Sequence, residues 1–225
     1  MPDIIQFNQV TVIAGQNKTL LSDITFTLQT GAKLALCGKS GAGKSTVLKT
    51  LLGLHPLASG SVHFNGRPLN ASTIAAIRSQ ATYIGQEPVL AADTVHEALL
   101  LPFQFKARRS HKPTEAQIDA VLARLYLPQA ILGQACGQIS GGEKQRIALA
   151  RGLLLGNTLF LLDEVTSALD PESKQAVLKV FADPSLTVLS VTHDADWLAQ
   201  CSRVLEFEAG RIIMDTRKDS HHDHT

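Results

Sequence analysis

Residues Gly38-Lys39-Ser40-Gly41-Ala42-Gly43-Lys44-Ser45 decide how this chain is read. They match the complete phosphate-loop pattern: a glycine, four residues, then Gly-Lys-Ser. The stretch follows a predicted strand, Leu34-Ala35-Leu36-Cys37. It opens a predicted helix in which Val47, Leu48, Leu51 and Leu52 make one apolar stripe. Glycines let the backbone wrap until successive N–H groups face one anion, and the helix N-terminus adds partial positive charge. Lys44 can reach the β and γ phosphates of a nucleotide, where a charge pair at about 4 Å is worth roughly 4 kcal/mol at an effective dielectric of about 20. Ser45 can set its hydroxyl on Mg²⁺. The expected cradle runs from Gly38 to Thr46.

Working outward, residues 4–36 carry short apolar and β-branched segments such as Ile24–Leu28, punctuated by Gly15, Asn17 and Gly31, and read as strands joined by tight loops. Downstream, His55-Pro56 and Ser59-Gly60 are expected to stop the helix, and residues 60–66 to form a strand closing in an Asn65-Gly66 turn. From Thr94 to about Leu132 the character is helical, with breaks at Pro102, Pro113 and Pro128. The basic cluster Lys106, Arg108, Arg109, His111 and Lys112 reads there as a solvated helix face or loop. Leu159–Leu162 is an apolar strand, Pro171–Val180 a helix and Leu186–Val191 another apolar strand. Continuous apolar runs mark strands covered by helices on both sheet faces, so the pattern is α/β.

The strand Leu159-Phe160-Leu161-Leu162 ends in Asp163-Glu164. Open α/β sheets bind ligands at the carboxyl edge of their strands, where Asp163 can hold Mg²⁺. Side chains alternate along a strand, so Glu164 is expected to point elsewhere, toward an attacking water that it orients and polarises.

Composition narrows the classes. A chain of 225 residues suits one compact unit with an inserted subdomain. Lys plus Arg is 21 and Asp plus Glu is 20, so no global field gathers nucleic acid or an anionic surface, and phosphate recognition must be local. Cys37, Cys136 and Cys201 form no Cys-x-x-Cys pair, which fits a reducing compartment. Met1-Pro2-Asp3 lacks the basic and apolar runs of a signal peptide. The most apolar region, 147–162, is broken by Arg151 and Asn157, so any membrane role is expected to pass through a partner.

Phosphate loops serve many enzyme classes, and a second motif chooses among them. Ile139-Ser140-Gly141-Gly142-Glu143-Lys144-Gln145-Arg146 precedes a helix-compatible run and supplies another helix N-terminus, far along the chain from the first. One nucleotide needs one cradle, so a second implies shared sites. With these residues the chain resembles the ATP-binding cassette (ABC) family from about Ile4 to Met214, with Ile139 where the family signature has Leu.

That resemblance implies a P-loop NTPase ABC fold with an antiparallel β subdomain and an inserted helical subdomain. Residues 1–218 would be the ATPase domain, with the helical subdomain at about 87–155, and 219–225 a flexible histidine-rich tail. By position, Gln86 resembles the glutamine-loop residue that contacts Mg²⁺ and water. Ser167-Ala168-Leu169-Asp170 resembles the dimer-communicating loop and His193 the switch histidine, which would act with Glu164 in catalysis. Ser140, Gly141, Gly142 and Glu143 would complete the ATP site of an opposite copy. Where the family carries an adenine-stacking aromatic, this chain has Val12 and Ile13, so looser discrimination among purines is expected. The implied partners are a second copy and a multispanning permease at the cytoplasmic face of the inner membrane, with no nucleic acid. The segment Thr94–Gln104 resembles that of an exporter associated with iron homeostasis. A soluble regulator acting on nucleic acid or translation is the alternative, and a small-molecule kinase a third reading that leaves the signature unexplained.

Overall fold

The computed structural model describes residues 2–15 and 17–218; the histidine-rich tail lies outside them. The described residues form two compact units, one within Met1–Thr82, Thr158–Asp163 and Pro184–Thr225, the other within Tyr83–Asn157 and Glu164–Asp183.

The first unit holds an antiparallel sheet built on two long strands, β1 (Asp3–Ala14) and β2 (Lys18–Gln29). Alternation buries Ile5, Phe7, Val10 and Val12 on one face of β1, and Phe7 stacks on Phe26 of β2 with ring centroids 4.7 Å apart. These strands are longer than the short segments expected from sequence. Register shifts on either side of Val10 absorb irregularities that read as interruptions, so bulges keep one strand continuous where the pattern falters.

The second sheet opens with β3 (Lys33–Cys37), which leads into helix α1 (Lys44–Leu51). The helix stops earlier than expected, in a turn at Gly53, where Leu54 N–H donates to Lys49 O and Gly53 N–H to Thr50 O. That glycine takes φ +71, a left-handed helix end that its apolar neighbours Leu52 and Leu54 disguise in the sequence. Ser59-Gly60 stops nothing and instead opens β4 (Ser59–Phe64), which adds to β1. Asn65 and Gly66, both with positive φ, turn it into the short β5 (Arg67–Pro68), as the Asn-Gly pair predicts.

Helix α2 (Ala71–Gln80), capped by Asn70, was not expected from the sequence; only Thr73 and Ile77 of it are buried, so its apolar periodicity is faint. Strand β6 (Ala81–Ile84) leads into the second unit.

That unit is helical: α3 (Val95–Leu100), α4 (Glu115–Arg124) and α5 (Gly141–Leu154), with 3-10 turns between them. Each opens on a reciprocal cap, Thr94 with Glu97, Thr114 with Gln117 and Ser140 with Glu143. The three prolines fall at the breaks predicted for them. The basic cluster is exposed except for Arg108, which donates to Leu155 O at 3.3 Å and Asn157 Oδ1 at 3.2 Å and so helps close the unit. Helix α6 (Pro171–Phe181) belongs here as well.

The remaining strands, β7 (Leu159–Asp163), β8 (Thr187–Val191), β9 (Arg203–Glu208) and β10 (Arg211–Arg217), complete the second sheet in the order β10-β9-β3-β8-β7-β6. Helix α7 (Ala195–Gln200) joins β8 to β9. Strand β3 pairs in parallel with both β8 and β9, and β8 in parallel with β7. The ends of β3, β8 and β7 therefore share one carboxyl edge, where this sheet class binds ligands.

Candidate functional site

On that edge the loop from Gly38 to Gly43 is shaped by close backbone approach. A Cβ on Gly38 would lie 2.1 Å from Phe207 O and one on Gly43 2.7 Å from Leu20 O, and both residues have positive φ. Only glycine fits there. Gly43 caps α1 with no side-chain hydrogen bond, leaving the first backbone donors of the helix to a ligand. Lys39, Ser40 and Gly41 form the exposed rim, Ala42 is buried beneath it, and Thr46 lies half-buried in the first turn of α1.

Lys44 is 5% exposed, and its Nζ donates to Gly38 O at 2.6 Å and Lys39 O at 2.9 Å, holding the ammonium across the loop. Ser45 Oγ donates to Asp163 Oδ1 at 2.9 Å. Asp163 ends β7, two strands from β3, so residues 118 apart in sequence put a hydroxyl and a carboxylate side by side. Hard oxygens of this kind suit Mg²⁺, and the residues present fit that ion.

His193 is exposed, two residues beyond β8. Its neighbours are fixed: Thr192 N–H donates to Leu36 O at 3.1 Å and Asp194 N–H to Thr192 Oγ1 at 3.0 Å. Of the two residues at the usual aromatic position, Val12 is 0% exposed and sits in the core, whereas Ile13 is 39% exposed. Only Ile13 presents an aliphatic surface.

In the second unit, Glu164 has φ +52, uncommon for a residue with a β-carbon. Strand β7 has already ended at Asp163, so a left-handed turn, and not strand alternation, redirects the Glu164 side chain. That turn is held by Ser167, whose N–H and Oγ both donate to Glu164 O. Gln86 Nε2 donates to Glu164 Oε2 at 3.3 Å, joining two expected site residues 78 positions apart.

The signature segment is the N-terminus of α5. Ser140 Oγ accepts from Glu143 N–H at 3.2 Å and Glu143 Oε2 accepts from Ser140 N–H at 2.7 Å. The Ser140 N–H foremost, and then the Ser140 hydroxyl, hold the Glu143 carboxyl below its ordinary value. Glu143 is thus engaged as a cap. The two glycines differ: a Cβ on Gly142 would meet Ala168 O at 2.8 Å, whereas one on Gly141 would meet nothing within 4 Å. The protein itself demands glycine at 142, and the open side at 141 is room for a ligand or partner. Asp170, ending the 167–170 loop, caps α6, and hydrogen bonds from Ser173 lower its carboxyl pKa.

The pattern of the ABC transporter family matches residues 21–167. The chain belongs to that family. The probable iron export ATP-binding protein FetA of Escherichia coli is 36% identical over 209 residues, covering 91% of each chain. The methionine import ATP-binding protein MetN 1 of Pseudomonas putida is 33% identical, covering 93% of this chain and 66% of the relative. The solved dimeric structure of a bacterial ABC transporter cassette superposes with a TM-score of 0.79 at 25% identity, covering 95% of this chain and 98% of that one. The mixed sheet, the antiparallel sheet and the helices are the ABC ATPase fold expected from sequence. As a member of the family, the chain is an ATP-binding, ATP-hydrolysing ABC ATPase that powers transport.

Proposed function

We propose that two copies of this chain hold ATP between them, head to tail, and that its hydrolysis drives a separate multispanning permease exporting iron or a related metal. The observation that carries the two-copy reading is the second glycine-lined helix N-terminus, Ser140–Gly142, with Gly141 open to an approaching group. One chain has two phosphate-type helix ends, and each nucleotide uses one from each copy. A dimeric cassette among the solved relatives supports a two-copy reading.

In this reading residues 1–218 are the ATPase domain, with the helical subdomain at about 87–155. The loop N–H groups and Lys44 bind the β and γ phosphates. The Ser45 hydroxyl and Asp163 carboxylate hold Mg²⁺, and the family resemblance adds Gln86 to that set. When bound, the ion neutralises charge on the terminal phosphates. Glu164, held by Gln86, accepts a proton from the attacking water, and His193 binds a γ-phosphate oxygen. Closure of two copies excludes water from the reacting phosphate, and two anionic products then repel in the seam and favour opening. With Ile13 as an aliphatic platform, ATP and GTP turn over at rates within about tenfold of each other; comparing the two nucleotides measures this, and a stronger ATP preference removes the idea.

The export reading rests on the FetA relative, matched over nearly its whole length, and on the Thr94–Gln104 segment. Among the described residues no helix is long and apolar enough to cross a membrane. The chain is proposed to sit peripherally on the cytoplasmic face of the inner membrane, bound to the permease. The test is to purify the tagged chain from detergent-solubilised membranes, reconstitute it with the permease that accompanies it, and follow ATP-dependent metal movement. No multispanning companion, or movement of methionine but not metal, would overturn the reading.

A further inference from the structure

Helix α5 does more in this structure than present Ser140–Gly142 at its N-terminus. Two of its side chains hold the segment that carries Gln86. Gln145 Nε2 donates to Gly85 O at 3.4 Å, and Arg151 donates through Nη1 to Leu90 O at 3.1 Å and through Nη2 to Val89 O at 3.3 Å. These two side chains lie six positions apart on the helix, a rise of about 9 Å, so they grip the segment at both ends. Gln86 lies between the grips, and its amide reaches Glu164 at 3.3 Å.

Gln145 has an oddity that points beyond packing. It is 1% exposed, yet its Oε1 is buried without a hydrogen-bond partner. A buried unpaired carbonyl costs stability, and a methionine of similar volume would fill the space without it. What the glutamine adds is its N–H donor to Gly85, the residue next to Gln86.

We propose that Gln145 and Arg151 are positioning residues for hydrolysis, through which α5 fixes the segment Gly85–Leu90 and so the reach of Gln86 to Glu164. One rigid helix then links the end that meets the opposite copy's nucleotide to the pair that orients water. The inference rests on the proposed roles of Gln86 and Glu164.

Gln145→Met in the full chain separates this from a structural role, because it removes the donor and the unpaired carbonyl together. The midpoint of thermal unfolding is expected to stay or rise, KM for MgATP to stay within about twofold, and kcat to fall about tenfold. In a Gln86→Ala background the same substitution is expected to change nothing further. Arg151→Lys, which keeps the charge and can satisfy one of the two carbonyls, tests the other grip by the same split, with a smaller fall in kcat expected. An unchanged kcat in Gln145→Met overturns the proposal. So does a joint loss of thermal midpoint, KM and kcat, or a fall that persists when Gln86 is already alanine. If Gln86→Ala itself leaves kcat intact, the reading of Gln86 fails and takes the proposal with it; a strong Gln86→Ala effect beside a silent Gln145→Met overturns the proposal alone.

Discussion

Two helix N-termini in this chain are lined with glycine, and they are built in opposite ways. At α1 the cap is Gly43, no side chain occupies the backbone donors, and Lys44 lies across the loop. At α5 the cap is Ser140, which shares a reciprocal pair of hydrogen bonds with Glu143, and an anionic side chain stands in the first turn. The first end is complete as an anion site: open donors, a fixed cation and oxygens for a metal. The second has spent two donors on its own cap and carries negative charge, so on its own it is a poor partner for phosphate. It can serve when the anion is already held elsewhere, which is the physical case for two copies sharing each nucleotide.

The comparison breaks or sharpens in four ways. The largest effect is expected at the residue that follows Asp163. Glu164→Gln should lower turnover about 10²- to 10⁴-fold while ATP still binds and draws copies into a stable dimer. Near-normal hydrolysis would remove Glu164 from catalysis, and ATP that left the variant monomeric on a sizing column would remove the second helix end from nucleotide binding.

Lys44→Ala comes next, with nucleotide affinity expected to weaken roughly a hundredfold in a direct titration. An unchanged affinity would mean that backbone donors alone hold the phosphates and that the contrast between the two ends is smaller than argued.

The two signature glycines separate fold from function. Gly142→Ala forces a methyl against Ala168 O and should cost about 1–3 kcal/mol in denaturant unfolding. Gly141→Ala enters open space in a helical position and should leave stability unchanged or raise it by about 0.5 kcal/mol, yet still impair ATP-driven dimerisation. Dimerisation unaffected by Gly141→Ala would show that nothing approaches that side.

The smallest effect is a pH dependence of the α5 cap. The Glu143 carboxyl lies below its ordinary value of 4.5 when folded, so its stabilisation is fully present above that value and is lost as pH falls through the lowered one. Glu143→Gln keeps an acceptor that does not titrate. The wild-type advantage in thermal midpoint should be constant near neutrality and shrink progressively as pH falls below 4.5; an advantage that does not change with pH would assign the cap's strength to something other than the carboxylate.

How far the molecule could be read beforehand depended on how local each cause is. The phosphate loop and the Asn65-Gly66 turn are decided within a few residues, and each appears where its pattern placed it. Helix α2 escaped because its buried face is two residues wide. The early end of α1 escaped because Gly53 is flanked by leucines. For Glu164, strand alternation was the wrong ground to argue from, since the strand ends at Asp163 and a left-handed turn held by Ser167 was invisible in an Asp-Glu pair. Val12 and Ile13 were treated as equals; alternation counted from Ile5 and Phe7 points to Ile13, and only the register shifts around Val10 put Val12 in the core instead. Gln145 was legible only as a member of the signature segment, and Arg151 only as a break in the apolar run 147–162.

The sequence by itself determined the family and the backbone form of the phosphate loop, because glycine, lysine and serine at fixed spacing dictate backbone conformation and charge over one turn of chain. Tertiary structure alone decided which carboxylate meets Ser45, that Gln86 meets Glu164 and that α5 grips the segment between Gly85 and Leu90. Those pairings span 60 to 118 residues. They exist because strand order and helix packing bring the groups within hydrogen-bond reach, a proximity that no local pattern of residues encodes.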